Sequence, residues 1–142
     1  MPVDFSEASK YALNYAVSFA TPFSSDLILL YVVEPAIYPA DLGYGQVTLP
    51  NIEHELAERG KNELNMLVKT RVGDTLKCRT MVRIGKPSQE ILLAAREEKI
   101  DLIVIATHGQ TGVEHLIFGS TTEKVVKKAP CPVLLVRPTR YS

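Results

Sequence analysis

Two short apolar runs restrict this chain more than any other feature. Asp26–Val33 reads "DLILLYVV" and Asp101–Ala106 reads "DLIVIA". A strand with one face in water alternates apolar and polar residues, whereas these runs hardly alternate, as expected of strands covered on both faces. Each is followed by a segment of helical spacing, and the pattern recurs along the chain as β-α-β-α-β-α-β-α-β. Such alternation implies a parallel sheet with helices on both faces, because right-handed crossovers place them there. In sheets of this kind, ligands bind at the carboxyl ends of the strands, where the strand order reverses.

The remaining elements fit that frame. Ser6 can cap a helix from Glu7 to about Thr21, with Ala8, Ala12, Leu13, Ala16, Val17 and Ala20 on one face. Ile52–Val72 has helical spacing through Leu56, Leu64, Leu67 and Val68. Leu76–Arg83 alternates, with Leu76, Cys78, Thr80 and Val82 on one side and charged residues and Met81 on the other, which suits an edge strand. Gly85-Lys86-Pro87-Ser88 turns into a third helix with Ile91, Leu92, Ala94 and Ala95 apolar. Pro130 and Pro132 end a helix begun near Ser120 and start the last strand, Val133–Arg137. The first strand, "MPVD", is short, and a truncated central strand would remove a ladder partner on both sides. The connection from Glu34 to Pro50 carries Ile37, Tyr38, Leu42, Tyr44 and Val47. It reads equally as a lid or contact surface and as a loop folded on its own domain.

With 142 residues, the chain is sized for one domain, residues 1–142. Sixteen basic residues balance sixteen acidic ones, so no electrostatic footprint points to nucleic acid or an anionic membrane. No apolar run reaches transmembrane length, and the start does not read as a signal peptide. Cys78 and Cys131 lack metal-type spacing and read as reduced thiols of a cytoplasmic protein.

The chemistry concentrates in Ile103–Val126, "IVIATHGQTGVEHLIFGSTTEKVV". A buried strand ends, a loop with two glycines follows, and a helix opens on Gly-Ser-Thr-Thr. A helix N-terminus offers free N–H groups and partial positive charge, which suit phosphate. Gly119 allows close backbone approach, and Ser120, Thr121 and Thr122 add hydroxyls. A second reading stands beside this one, in which Ser120 is simply the N-cap and Glu123 its capping-box partner. Asp4 could orient a ribose hydroxyl or satisfy a turn, and His108 could meet ribose or phosphate or bond local backbone. A Walker A loop, a dinucleotide fingerprint and a nucleophile elbow are all excluded by the sequence.

"PVDFSEAS", "GKPSQEI" and "DLIVIATHGQTG…FGSTTEKVVKKAPCPVLLV" together resemble a single-domain universal stress protein, along nearly the whole chain. The ATP-binding branch of that family carries G-x2-G-x9-G-[ST]. Here Ala106 stands at the first glycine, Gly109 at the second, and Gly119-Ser120 close the motif after the nine-residue spacer "QTGVEHLIF". The resemblance implies an open, parallel, five-stranded Rossmann-like sheet of the adenine nucleotide alpha hydrolase type, in strand order 3-2-1-4-5. It also implies a homodimer through Val133–Arg137 and ATP with Mg²⁺ or Mn²⁺. Pro2 and Val3 would line the base pocket, Asp4 would meet the ribose or nearby adenine edge, and Val32 would contact adenine through its backbone. Ala106, His108 and Gly109 would flank ribose and α-phosphate, and Gly119, Ser120, Thr121 and Thr122 would hold the outer phosphates. No general base stands in the motif, so hydrolysis would be slow at most. The alternative is a stress-response interaction module that binds no nucleotide and works through its dimer surface.

Overall fold

The computed structural model describes residues 1–35, 50–109 and 118–139. In chain order its elements are α1 (Glu7–Ala20), β1 (Leu27–Val33), α2 (Pro50–Leu67), β2 (Cys78–Ile84), α3 (Pro87–Glu97), β3 (Ile103–Ala106), α4 (Ser120–Lys128) and β4 (Val133–Val136). The expected apolar connection with Ile37, Tyr38, Leu42, Tyr44 and Val47, and the stretch with Gly112 and His115, lie outside the described residues.

Both apolar runs are strands buried from two sides. Leu27 and Leu29 join one core cluster with Ala12, Leu13 and Ala16 of α1 and Leu64 of α2, while Leu30 joins a second with Ile91 of α3 and Val125 of α4. β3 divides the same way, with Val104 and Ala106 in the first cluster and Ile103 and Ile105 in the second. The protein is thus an α/β fold with α1 and α2 on one face of its strands and α3 and α4 on the other. Among the described residues no helix is long and apolar enough to cross a membrane.

Local chemistry sets the helix ends. Ser6 is extended (φ −66°, ψ 158°) and its hydroxyl accepts from Ser9 N–H at 3.1 Å, the expected N-cap of α1. α2 runs on through a wider, π-type turn, Val68–Val72, that stops at Gly73, whose φ of 65° favours glycine. α3 opens with Pro87 in its first turn, where a missing N–H costs nothing.

All strand pairing among the described residues is parallel. β1 pairs β2 from Leu27–Cys78 to Val33–Ile84, and β3 pairs β4 from Ile103–Val133 to Ala106–Val136. The short first strand adds to β1, since Leu30 N–H donates to Met1 C=O (2.9 Å) and Val3 N–H donates to Leu30 C=O (2.8 Å). The strands therefore form two ladders and a stub, where one continuous five-stranded ladder was expected. Pro2 contributes to the break. In a parallel ladder, the backbone groups of alternate residues point to opposite sides. Met1 and Val3 face β1, so Pro2 faces away from it, and proline has no N–H to give. The stub thus keeps its partner on one side, and the loss foreseen on both sides falls on one.

Candidate functional site

The carboxyl ends of the stub, β1 and β3 lie together, and three backbone devices hold the loops that leave them. The first follows the stub. Asp4 Oδ1 accepts from Ser6 N–H (3.0 Å) and from Ser6 O–H (2.5 Å). This is the turn reading of Asp4, and it forces Phe5 to a φ of 64°, a conformation costly for a bulky residue. The Phe5 ring packs against Tyr31, with centroids 4.8 Å apart. Tyr31 in turn lies so close over Gly60 of α2 that a Cβ there would strike its ring. Burial, then Glu63 and Asp4, push the Tyr31 phenol above its ordinary pKa.

The second device joins the two loops. A Cβ on Gly109 would collide with Asp4 Oδ2, so Gly109 is where the loop after β3 meets the turn after the stub. Residues 105 positions apart are brought into contact by the parallel packing of their strands.

The third device seats α4. Gly119 N–H donates to Thr107 C=O at 2.8 Å, and Thr122 Oγ1 donates to Ala106 C=O at 2.9 Å. Thr107 itself is buried, its N–H on Val136 C=O and its hydroxyl 3.0 Å from His108 Nδ1. The helix begins one residue earlier than a Ser120 cap requires. Gly119 occupies the N-cap (φ −67°, ψ 158°), and no side chain caps this end. The expected capping box is therefore corrected: Ser120 is an exposed first helical residue, and Glu123 pairs with Lys127 at 2.6 Å. The Lys127 ammonium lowers the Glu123 pKa. An uncapped N-terminus leaves donors in the first turn for something other than a side chain.

Ala106, the departure from the motif, sits in regular strand with no positive φ. Its methyl group is packed in the core with Val3, Val104 and Val136, so the substitution strains nothing.

A family model for the universal stress protein family matches residues 1–137. The chain belongs to the universal stress protein family. It is 30% identical to universal stress protein MJ0577 of Methanocaldococcus jannaschii, over 96% of this chain and 91% of that one. The solved structure of UspA from Lactobacillus plantarum matches with a TM-score of 0.78 at 31% identity, covering 96% and 94% of the two chains. A universal stress protein solved in complex with cAMP shares the fold, with a TM-score of 0.66 at 20% identity over 96% and 93%.

Against the universal stress protein motif, the structure brings Asp4, His108, Gly109 and Gly119 together around Thr107. Thr122 is buried with its proton committed to Ala106, so it offers backbone rather than hydroxyl. Val3 is core, while Pro2 lies by a small cavity of about 30 Å³ at the opposite ends of the strands, beside Ile28 and Ile103. Val32 turns its backbone toward the stub: Leu27 N–H and Val33 C=O both bond toward β2, and even-numbered residues face the other way. Phe5 and Thr107 were missed in the sequence. The signal for Phe5 is a bulky residue between an Asp and the Ser that its carboxylate binds; for Thr107 there was none. Cys78 and Cys131 are free thiols raised in pKa chiefly by burial, which makes them poor nucleophiles. Among the described residues no cluster of His, Cys, Asp and Glu could hold a metal ion.

Proposed function

We propose that this domain binds ATP at the carboxyl ends of the stub, β1 and β3, and uses it as a conformational signal in stress adaptation. The observation that carries the reading is the convergence of Asp4, Gly109 and Gly119 beside a helix end that no side chain caps. The N–H groups of Ser120, Thr121 and Thr122 suit an anion in number and direction. Val32 backbone suits an adenine edge, and Asp4, His108 and Gly109 suit the ribose and α-phosphate between them. Pro2 and Val3 belong to the strand that would floor the base pocket, as the centre of an order 3-2-1-4-5. Mg²⁺ or Mn²⁺ would arrive with the phosphates. The motif offers no dedicated general base, so turnover is slow at best. The domain works as a homodimer paired through Val133–Arg137, in the cytoplasm, where its two free thiols stay reduced.

Calorimetric titration with ATP and Mg²⁺ tests the nucleotide reading. Saturable heat and a raised melting temperature are expected. Gly119→Val should lose at least ~10-fold in affinity with the fold intact, because a Cβ at 119 stands 3.6 Å from its nearest neighbour, ordinary contact. No heat and no thermal shift at millimolar nucleotide would sink it. The reading without nucleotide draws on Asp4 and Thr122, whose polar atoms are engaged within the chain, and that outcome would establish it.

A further inference from the structure

The outer flank of α1 carries a row of aromatic rings. Tyr11, Tyr15 and Phe19 follow at four-residue spacing, so they share one slope of the helix, and Phe23 extends the row into the following turn. Tyr11 and Tyr15 pack with centroids 5.4 Å apart. Tyr15, Phe19 and Phe23 are 44%, 48% and 76% exposed. From Tyr11 to Ser25 the chain has no charged residue. The solvent face of a helix normally carries charge. A face of Tyr and Phe without charge has the composition found at the centre of protein–protein interfaces.

Three observations identify what covers it. The Tyr11 hydroxyl lies 3.3 Å from that of Thr139, three residues beyond β4, so the row continues the open edge of β4. A two-fold axis that lays β4 antiparallel to its copy stands perpendicular to the sheet. It therefore keeps both copies of α1 on one face and sets them antiparallel, with opposed dipoles. Finally, an uncharged face meets its own image without like-charge repulsion. The charges that bound it are paired within the chain, Lys10 with Glu7 at 3.1 Å and Asp26 with Lys77 at 3.0 Å.

We infer that the aromatic flank of α1 packs against α1 of a second copy of this chain, so that the dimer interface is a strand edge and a helix face together. The inference rests on the edge pairing of β4 proposed above. Ile103 N–H bonds to Pro132 C=O and Thr107 N–H to Val136 C=O. Within Val133–Arg137, the residues Val133, Leu135 and Arg137 therefore turn their backbone outward. Three residues bury far less than the roughly 1,600 Å² of a standard specific interface, and the α1 flank supplies apolar area where the edge ends.

Sedimentation equilibrium of the full chain tests this with two variants. Tyr15→Glu/Phe19→Glu charges the flank at exposed positions, and Leu135→Pro removes an outward N–H at the edge. Each should weaken the dimer ~100-fold or more while far-UV circular dichroism stays native. A Glu variant that dimerises as the parent does, beside a monomeric Leu135→Pro, overturns the helix contact and leaves the edge pairing. The reverse pattern overturns the edge pairing and leaves the helix contact. A parent chain that is monomeric at millimolar concentration overturns both. Mixing the Glu variant with Tyr15→Lys/Phe19→Lys separates direct packing from a structural effect. Restored dimers are expected, and folded partners that stay monomeric when mixed overturn the inference.

Discussion

The two ladders of this molecule are built on opposite plans. β1 and β2 pair over seven positions, and the outer strand is fenced with ion pairs: Lys77 with Asp26, Arg79 with Glu98, and Arg83 with both Glu90 and Glu97. β3 and β4 pair over four positions, and the outer strand is Val-Leu-Leu-Val with its first three residues only half-buried. Charged side chains on an edge strand discourage further pairing, and an apolar edge invites it. The long ladder holds itself together and closes its own border. The short ladder bears the loop with Gly109 and the start of α4, and leaves its border open. The candidate site spans the two, because Asp4 and Val32 come from the half to which the stub bonds.

The largest effect is expected from a trade of borders. Leu135→Lys gives β4 the kind of guard that β2 already has and should loosen the proposed dimer ~100-fold, about 2.7 kcal/mol. Ile84→Lys, at the exposed end of β2, should leave the sedimentation profile unchanged. Equal effects from the two would erase the contrast between the edges. Thr122→Val then probes how the short half holds its helix. Losing the buried bond to Ala106 should cost about 1–2 kcal/mol in chemical denaturation and weaken nucleotide binding through a displaced α4. Smallest is Arg83→Ala in the long half. Its two carboxylate partners remain partly exposed, so a loss near 1 kcal/mol is expected, shrinking in high salt.

What the sequence disclosed followed locality. The periodic helices, the doubly buried strands and the guarded character of Leu76–Arg83 were legible because side-chain pattern alone decides them. Thr80 meeting Asn65 of α2 while Arg79 and Arg83 meet α3 reproduces the alternation that was read there. The start of α4 near Ser120 was legible, but the alternative that made Ser120 its cap was not borne out. Ser120 is the better cap by chemistry, but Thr107 C=O holds Gly119 N–H, Gly119 is the residue that stands extended, and that grip spans a loop. The φ of Ala106 and the meeting of Asp4 with Gly109 were invisible for the same reason: each depends on where another strand ends. Pro2 was in plain view, yet the side on which it withholds an N–H depends on which side Met1 and Val3 bond.

Gly119 stands in ordinary extended backbone, with room for a side chain. Nothing in the fold asks for glycine there, and serine would serve as a true N-cap, worth a few tenths of a kcal/mol. A hydroxyl placed on those first-turn donors would also take the seat proposed for phosphate. A breeder of heat-resistant variants, scoring survival alone, would be drawn to that serine and would unknowingly deafen the protein to the nucleotide signal proposed for it.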